Sequence, residues 1–298
     1  MSGRAGRTLA QAKINLALRV LGRQPDGYHA IETVFLRLEL GDDVEIRTTT
    51  GKRSLMCYAM RDEPPEKNLA YRAALAYARE TGWPKGFELE IVKNIPIGGG
   101  LGGGSADAAA VLRILNKLSS NPLAADKLLE LAGRVGSDIP FLASDFAMAL
   151  AWGRGERMLE LPALPPRDIQ LFVPPYGVPT AEAYASLSAE RRGVPMGTPE
   201  LTAEMFSSWE SAAANSVNDF EHIVRRGRPE IDSWLESGKR FGLFCRMTGS
   251  GSTVFLVGGV TTISPEAAQG LSFLRLPPDS RGITTRNAVS VVPVEILD

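Results

Sequence analysis

From Ala12 to Arg19 apolar residues are interleaved with Lys13 and Asn15, and the turn-rich Gly22-Arg-Gln-Pro-Asp-Gly27 follows, which predicts a strand and then a turn. Ile31 to Leu40 reads as a second strand. Asp43 to Thr50, with Val44, Ile46 and Thr48 on one face, reads as a third. Helical spacing of Leu69, Ala73, Leu75 and Ala76 predicts a helix over Asn68–Glu80. Phe87-Glu-Leu-Glu-Ile-Val92 alternates cleanly and predicts a strand that runs into Pro96 and a glycine cluster. Beyond the cluster the pattern predicts helices over Ala106–Leu118 and Asp126–Val135, then a short strand over Ala147–Trp152.

Leu161-Pro-Ala-Leu-Pro-Pro166 interrupts this periodicity and reads as a joint between two halves, 1–160 and 161–298. The second half predicts strands at Ile169–Val173, Phe244–Met247, Thr253–Val257 and Ala288–Ile296. Its helices are expected at Thr180–Leu187, Ser211–Ile223, Pro229–Ser237 and Pro265–Leu274. Strands and helices mix without steady βαβ alternation, so the expected class is α+β.

Composition removes several functions without naming one. The chain has 298 residues, which suits about two domains, and its Lys+Arg of 33 against Asp+Glu of 34 gives a net charge of −1. A coat for nucleic acid or for an anionic membrane needs an excess of Lys and Arg, so neither is expected. Two cysteines, Cys57 and Cys245, make no disulfide framework or zinc site, and His29 and His222 leave little for a histidine metal site. No apolar run is long enough to span a membrane, and the basic start lacks the apolar stretch of a signal peptide, so a cytoplasmic protein, monomer or homodimer, is expected. Trp83, Trp152, Trp209 and Trp234 are assigned to packing or surface.

Gly98-Gly-Gly-Leu101-Gly-Gly-Gly104-Ser105 is the chemically informative segment. Glycine loses the most backbone entropy on folding, so such a cluster between a strand and a helix needs a reason. Without Cβ atoms its N–H groups can converge on an anion, and the following helix adds its positive end. Ser105 reads as the N-cap of that helix, or as a hydroxyl turned to phosphate or metal. A flexible linker is the bland alternative, but linkers are seldom flanked so tightly by regular elements. The pattern also satisfies a dinucleotide fingerprint. A dehydrogenase is nevertheless disfavoured, since no strand ending in Asp or Glu follows about 20 residues on. A Walker A loop would need a lysine before Ser105, where Gly104 stands.

Pro96 to Ala109 resembles the phosphate loop of the GHMP kinases, the galactokinase, homoserine kinase and mevalonate kinase superfamily. Ala12-Lys-Ile-Asn-Leu16 and Arg246-Met-Thr-Gly-Ser-Gly251 fall where that family keeps its other motifs. Lys13-Ile-Asn15, Asp26-Gly-Tyr-His29, Gly136-Ser-Asp-Ile-Pro140, Asn218-Asp-Phe-Glu221 and the last glycine turn are together similar to the branch whose acceptor is a cytidyl diphosphate methylerythritol. Asp26-Gly-Tyr-His29 argues against the branches that phosphorylate mevalonate, homoserine or a sugar. Retention of Lys13 and Asp138 argues against a member that only binds nucleotide.

The resemblance implies ATP and Mg²⁺, and a ribosomal-protein-S5-domain-2-like first domain followed by a ferredoxin-like second one, with the site in the cleft between. It implies an adenine near Asn68 and Lys93, phosphates on Pro96 to Ser105, and Mg²⁺ at Ser105. Transfer to a hydroxyl benefits from a carboxylate base. By spacing alone Asp138 reads as an Asx-turn or N-cap residue, and Lys13 as a snorkelling lysine. The resemblance makes Asp138 the base and Lys13 its orienting partner.

Tyr28 and His29, otherwise packing residues after a turn, would form a cytosine pocket, with Tyr28 on the base, His29 at its polar edge and Tyr184 over the other face. Asn15 and Thr180 would face the acceptor. Gly249-Ser250-Gly251 reads as a hairpin turn whose N–H groups could also meet the diphosphate. This chain departs from relatives in Ala106, where many have a second serine, and in Ser137, where several have alanine.

Overall fold

The computed structural model describes residues 3–25, 27–192, 194, 196–258 and 279–297. Asp26 of the Asp-Gly-Tyr-His motif and the helix expected over 265–274 lie outside them. The first half forms β1 (Ala5–Arg23), β2 (His29–Thr49), β3 (Arg53–Met56), α1 (Leu69–Thr81), β4 (Gly86–Val92), α2 (Gly103–Leu118), α3 (Ala125–Val135), α4 (Ile139–Ala143), β5 (Met148–Gly153) and β6 (Arg157–Glu160). The second forms β7 (Asp168–Val173), α5 (Thr180–Glu190), α6 (Trp209–Asn215), α7 (Glu221–Val224), α8 (Pro229–Arg240), β8 (Phe244–Met247), β9 (Val254–Val257), β10 (Arg281–Arg286) and β11 (Glu295–Leu297).

Two sheets result among the described residues. One has seven strands along the path β11-β1-β2-β4-β3, with β5 and β6 branching from β2; the other has four, in the order β10-β7-β9-β8. The two strands expected over 31–40 and 43–50 are one, β2. Its first part pairs β5 and its second part pairs β4, so one long strand serves two neighbours on the same edge. Gly41-Asp42 does not break it, because the Asp42 carboxylate accepts the N–H groups of Asn94 (2.5 Å) and Ile95 (2.7 Å) beyond β4 and is fully buried.

β11 is shorter than the strand expected over Ala288–Ile296 and returns to the first sheet, pairing Ala5 with Leu297. β3, β6 and β10 were not expected; β3 and β6 are four residues each, too short for periodicity to register.

The helix expected over Ser211–Ile223 is split into α6 and α7. Between them Asn218 leaves the helix and bridges Leu18 of β1, and its side chain donates to the carbonyls of Met247 (2.7 Å) and Gly249 (2.9 Å). A helix through 216–220 would forfeit these bonds. α2 packs over the first sheet and α1 packs against α2, both through alanine-rich faces. The largest buried cluster runs from Ile14, Phe35 and Leu112 into Ile169, Leu171 and Phe255, so one core underlies both sheets.

Candidate active site

β1 carries Lys13 and Asn15 on one face, flanked by irregularities in its pairing with β2 between Gln11 and Lys13 and between Asn15 and Ala17. The Lys13 side chain is 4% exposed; its Nζ donates to Asn15 Oδ1 at 2.8 Å and lies 3.4 Å from Asp138 Oδ2. Asn15 is fixed in turn: its Nδ2 donates to Thr33 Oγ1 (2.7 Å), and its backbone N–H donates to Thr248 Oγ1 (3.0 Å). Asp138 precedes α4, yet its carboxylate caps no amide of that helix and is 33% exposed toward the cavity. The N-cap alternative for Asp138 is therefore not the one adopted.

The glycine loop is held from both halves. Leu101 O accepts the Lys13 N–H at 3.0 Å, and Gly99 O accepts the Thr253 N–H at 3.2 Å. Gly98, Gly100 and Gly102 have φ near +79°, +78° and +73°, the left-handed region where a side chain is strained. A Cβ on Gly100 would sit 2.5 Å from the Thr248 carbonyl oxygen, and one on Gly102 would sit 3.1 Å from the Lys13 side chain. Glycine is thus needed for close approach to the 248–253 turn and to Lys13. α2 begins at Gly103 with Gly102 in the N-cap position and no capping side chain. Ser105 is therefore inside the first turn and not the N-cap, which leaves its hydroxyl to the cavity it lines.

A cavity of about 590 Å³ lies over the loop. It collects every residue expected to hold the nucleotide (Asn68, Lys93, Pro96 and Gly98 through Ser105), together with Lys13, Asn15, Asp138, Thr180, Tyr184 and the turn Gly249-Ser250-Gly251. Asn68 is also the N-cap of α1, accepting from the N–H groups of Ala70 (2.9 Å) and Tyr71 (3.3 Å). Ser250 Oγ and Thr180 Oγ1 are hydrogen-bonded at 2.9 Å. Glu221 of the Asn218–Glu221 motif accepts the Met247 N–H at 2.8 Å. That motif therefore shapes the 247–251 turn.

Lys93 is not free to serve only a ligand. Its ammonium pairs with Asp42 and with Asp107 (2.6 Å), all three buried. Sequence reasoning missed both acids; the doubled Asp42-Asp43 after Gly41 and an Asp within an alanine-rich helical turn were the available signals. Burial pushes the Asp107 carboxyl up to about 7, against the pull of Lys93 and with the push of Asp42. Its Oδ1 has no hydrogen-bond partner.

For a carboxyl raised in the folded state, the folded chain binds the proton more tightly, so stability falls as pH rises from about 4 to about 7. Asp107→Asn is expected to flatten that slope and to raise the thermal midpoint at pH 8 by about 2–4 °C. A lower midpoint at pH 8 would contradict the burial argument.

A second cavity, of about 880 Å³, is lined by Tyr28, His29, Arg23, Arg154, Arg192 and Ser188, and shares Ile31, Asp138, Thr180 and Tyr184 with the first. All three expected pocket residues, Tyr28, His29 and Tyr184, line it. Tyr184 stacks on His29 with centroids 4.6 Å apart, and His29 Nε2 bonds Ser188 Oγ at 2.8 Å. Tyr28 is half exposed, with the Arg154 guanidinium 3.7 Å from its ring centroid. Burial, reinforced by Arg23, lowers the His29 pKa, which favours its neutral form.

The cavity over the glycine loop and the second cavity thus meet beside the Lys13–Asp138 pair. Residues 68–145 match the GHMP kinases N terminal domain and residues 199–269 match GHMP kinases C terminal. A 4-diphosphocytidyl-2-C-methyl-D-erythritol kinase of Geobacillus kaustophilus is 37% identical over 249 residues, 83% of this chain and 86% of that one. Its namesake from Pelotomaculum thermopropionicum is 39% identical over 256 residues, 83% and 87% of the two chains.

A crystal structure of 4-(cytidine 5'-diphospho)-2C-methyl-D-erythritol kinase superposes with a TM-score of 0.72 at 32% identity, covering 95% of this chain and 99% of the other. Homoserine kinase from Cytophaga hutchinsonii shares the fold alone, with a TM-score of 0.61 at 17% identity over 98% and 97% of the chains. The chain belongs to the GHMP kinases, ATP-dependent kinases of small molecules, and within them to the 4-diphosphocytidyl-2-C-methyl-D-erythritol kinase family. Among the described residues no helix is long and apolar enough to cross a membrane.

Proposed function

We propose that the chain transfers the γ-phosphoryl group of ATP to the 2-hydroxyl of 4-diphosphocytidyl-2-C-methyl-D-erythritol, on the non-mevalonate route to isoprenoid precursors. One observation carries this reading: the two cavities meet at Asp138, Thr180 and Tyr184, with the Lys13–Asp138 pair at the junction. ATP on the glycine loop and a cytidyl group beside Tyr28 and His29 then bring the γ-phosphate and the acceptor hydroxyl to the same carboxylate. Phosphoryl transfer asks mainly for positioning and local positive charge. Loop N–H groups and the α2 terminus cradle the phosphates. Asp138 takes the hydroxyl proton, and Lys13, held by Asn15, orients both groups.

In this reading residues 1–160 bind the nucleotide and 161–298 close over the acceptor, with β11 handed back to the first sheet. Mg²⁺ keeps waters and phosphate oxygens and takes few protein ligands. Ser105, in the first turn of α2 and lining the cavity, fits as a single hydroxyl ligand. When bound, the ion neutralises phosphate charge.

The test is ADP release measured with a panel of alcohols. Release with the cytidyl diphosphate erythritol and not with mevalonate, homoserine or galactose is expected; release with one of those alone overturns the assignment. In the same assay Tyr28→Ala is expected to raise the KM of the cytidyl substrate about tenfold, with the KM of ATP unchanged. The opposite pattern removes Tyr28 from the pocket.

A further inference from the structure

Arg37 is a buried charge that the proposed chemistry does not use. It is 1% exposed, and among the described residues no carboxylate lies within ion-pair distance of it. Its guanidinium instead donates to four carbonyl oxygens at the end of α4 and just beyond. Nη2 meets Phe141 O (2.9 Å) and Ser144 O (3.2 Å), Nη1 meets Leu142 O (3.3 Å), and Nε meets Phe146 O (3.2 Å). Burial pushes the group down to about 9, Arg113 adds to that, and Asp145 opposes it. An unpaired buried cation is costly unless its hydrogen bonds are satisfied. Here they are, by carbonyls at and just beyond the C-terminal end of α4, where positive charge is favoured.

The position of Arg37 gives this cost a purpose. In the β1–β2 ladder Lys13 stands opposite Arg37, and Asn15 opposite Phe35. Lys13 reaches Asp138, at the start of the five-residue helix α4, and Arg37 grips the end of the same helix. A ring stack joins the two grips. Lys13 Nζ lies 5.6 Å from the Phe35 centroid, Phe35 and Phe141 stack at 4.9 Å and 17°, and Arg37 lies 5.1 Å from the Phe141 centroid. The helix is thus fixed at both ends to neighbouring positions of one ladder, in the order cation, ring, ring, cation.

We propose that Arg37 is a positioning residue for phosphoryl transfer: by clamping the carbonyl end of α4 through its planar fork and the Phe35–Phe141 stack, it sets Asp138 at its distance from Lys13. This rests on the assignment of Asp138 as the base. Lysine carries the charge but not the planar fork, so it cannot reproduce the four bonds. A displacement of about 1 Å at a reacting group can cost up to about a hundredfold in rate.

The experiment compares Arg37→Lys, Phe141→Leu and Asp138→Asn in steady-state assays. Arg37→Lys is expected to lower kcat about tenfold or more, with the KM of ATP and of the acceptor within about twofold of the parent. Phe141→Leu, which removes the stack and leaves the carbonyls, is expected to lower kcat about threefold at unchanged KM. It keeps the proposal testable should Arg37→Lys fail to fold.

A parental kcat in the folded Arg37→Lys protein overturns the proposal. So does a rise of both KM values in proportion to the loss, since general loosening would weaken binding too. With Arg37→Lys unfolded, a parental kcat in Phe141→Leu overturns it. Parental turnover in Asp138→Asn would instead overturn the base assignment, so the two failures are distinguishable.

Discussion

Asp138→Asn is expected to lower kcat by about 10³-fold, within the range a positioned base supplies, while the Kd for ATP stays within about twofold. The amide keeps the shape of the side chain and cannot accept the hydroxyl proton. The separation of effects follows from geometry. Asp138 sits where the two cavities meet, whereas the proposed phosphate cradle is Gly98 to Gly104 and the start of α2.

Lys13→Met keeps the volume of a buried stem and deletes the ammonium that joins Asn15 and Asp138. A loss of about 10² to 10³ in kcat is expected, again with ATP binding retained. Isothermal titration with ATP beside single-turnover rates checks both variants. Turnover near the parental rate in either would remove that residue from the reaction.

The second large effect is on the cradle itself. Gly100→Ala is expected to destabilise the fold by about 2–3 kcal/mol and to weaken ATP binding about tenfold or more. Its φ of +78° is strained for alanine, and the added carbon would lie 2.5 Å from the Thr248 carbonyl, a backbone atom that cannot swing away. Gly133→Ala supplies the contrast. It lies within α3, where the new carbon meets only Pro140 Cγ at 3.7 Å, and a gain of about 0.5–1 kcal/mol is expected. Thermal melts with and without ATP separate the two terms. Equal stability and equal ATP affinity in Gly100→Ala would show that the loop tolerates a side chain there.

Much of this site was legible because its signals are local. The glycine loop declared itself by composition, and its flanking elements by period, so β4, the loop and α2 came out in place. The partner of Lys13 was less legible: Asp138 lies 125 positions along the chain, and spacing alone favoured a capping role that its side chain does not fill. Resemblance, not periodicity, named the pair. Asp42 and Asp107 stayed unassigned because a paired acid in a strand or a lone one in a helix carries no period, and only the tertiary contact with Lys93 gives them meaning. The interrupted helix around Asn218 failed for the same reason, since the bonds that break it come from the carbonyls of Met247 and Gly249. Ser105 was misplaced by three positions, because Gly102 in the left-handed region starts the helix earlier than a serine cap would.

The glycine loop rests its back on Thr248 to Thr253, which belong to the other half of the chain. This matters to anyone wishing to redirect the enzyme to another alcohol. Transplanting the whole second half from a kinase of different taste would also import a foreign backrest for the glycine loop, and a mismatch of an ångström there would spoil the proposed nucleotide site. The practical graft is narrower: exchange the walls of the cavity around Tyr28, His29, Arg154 and Ser188, and leave the 248–253 turn as it is.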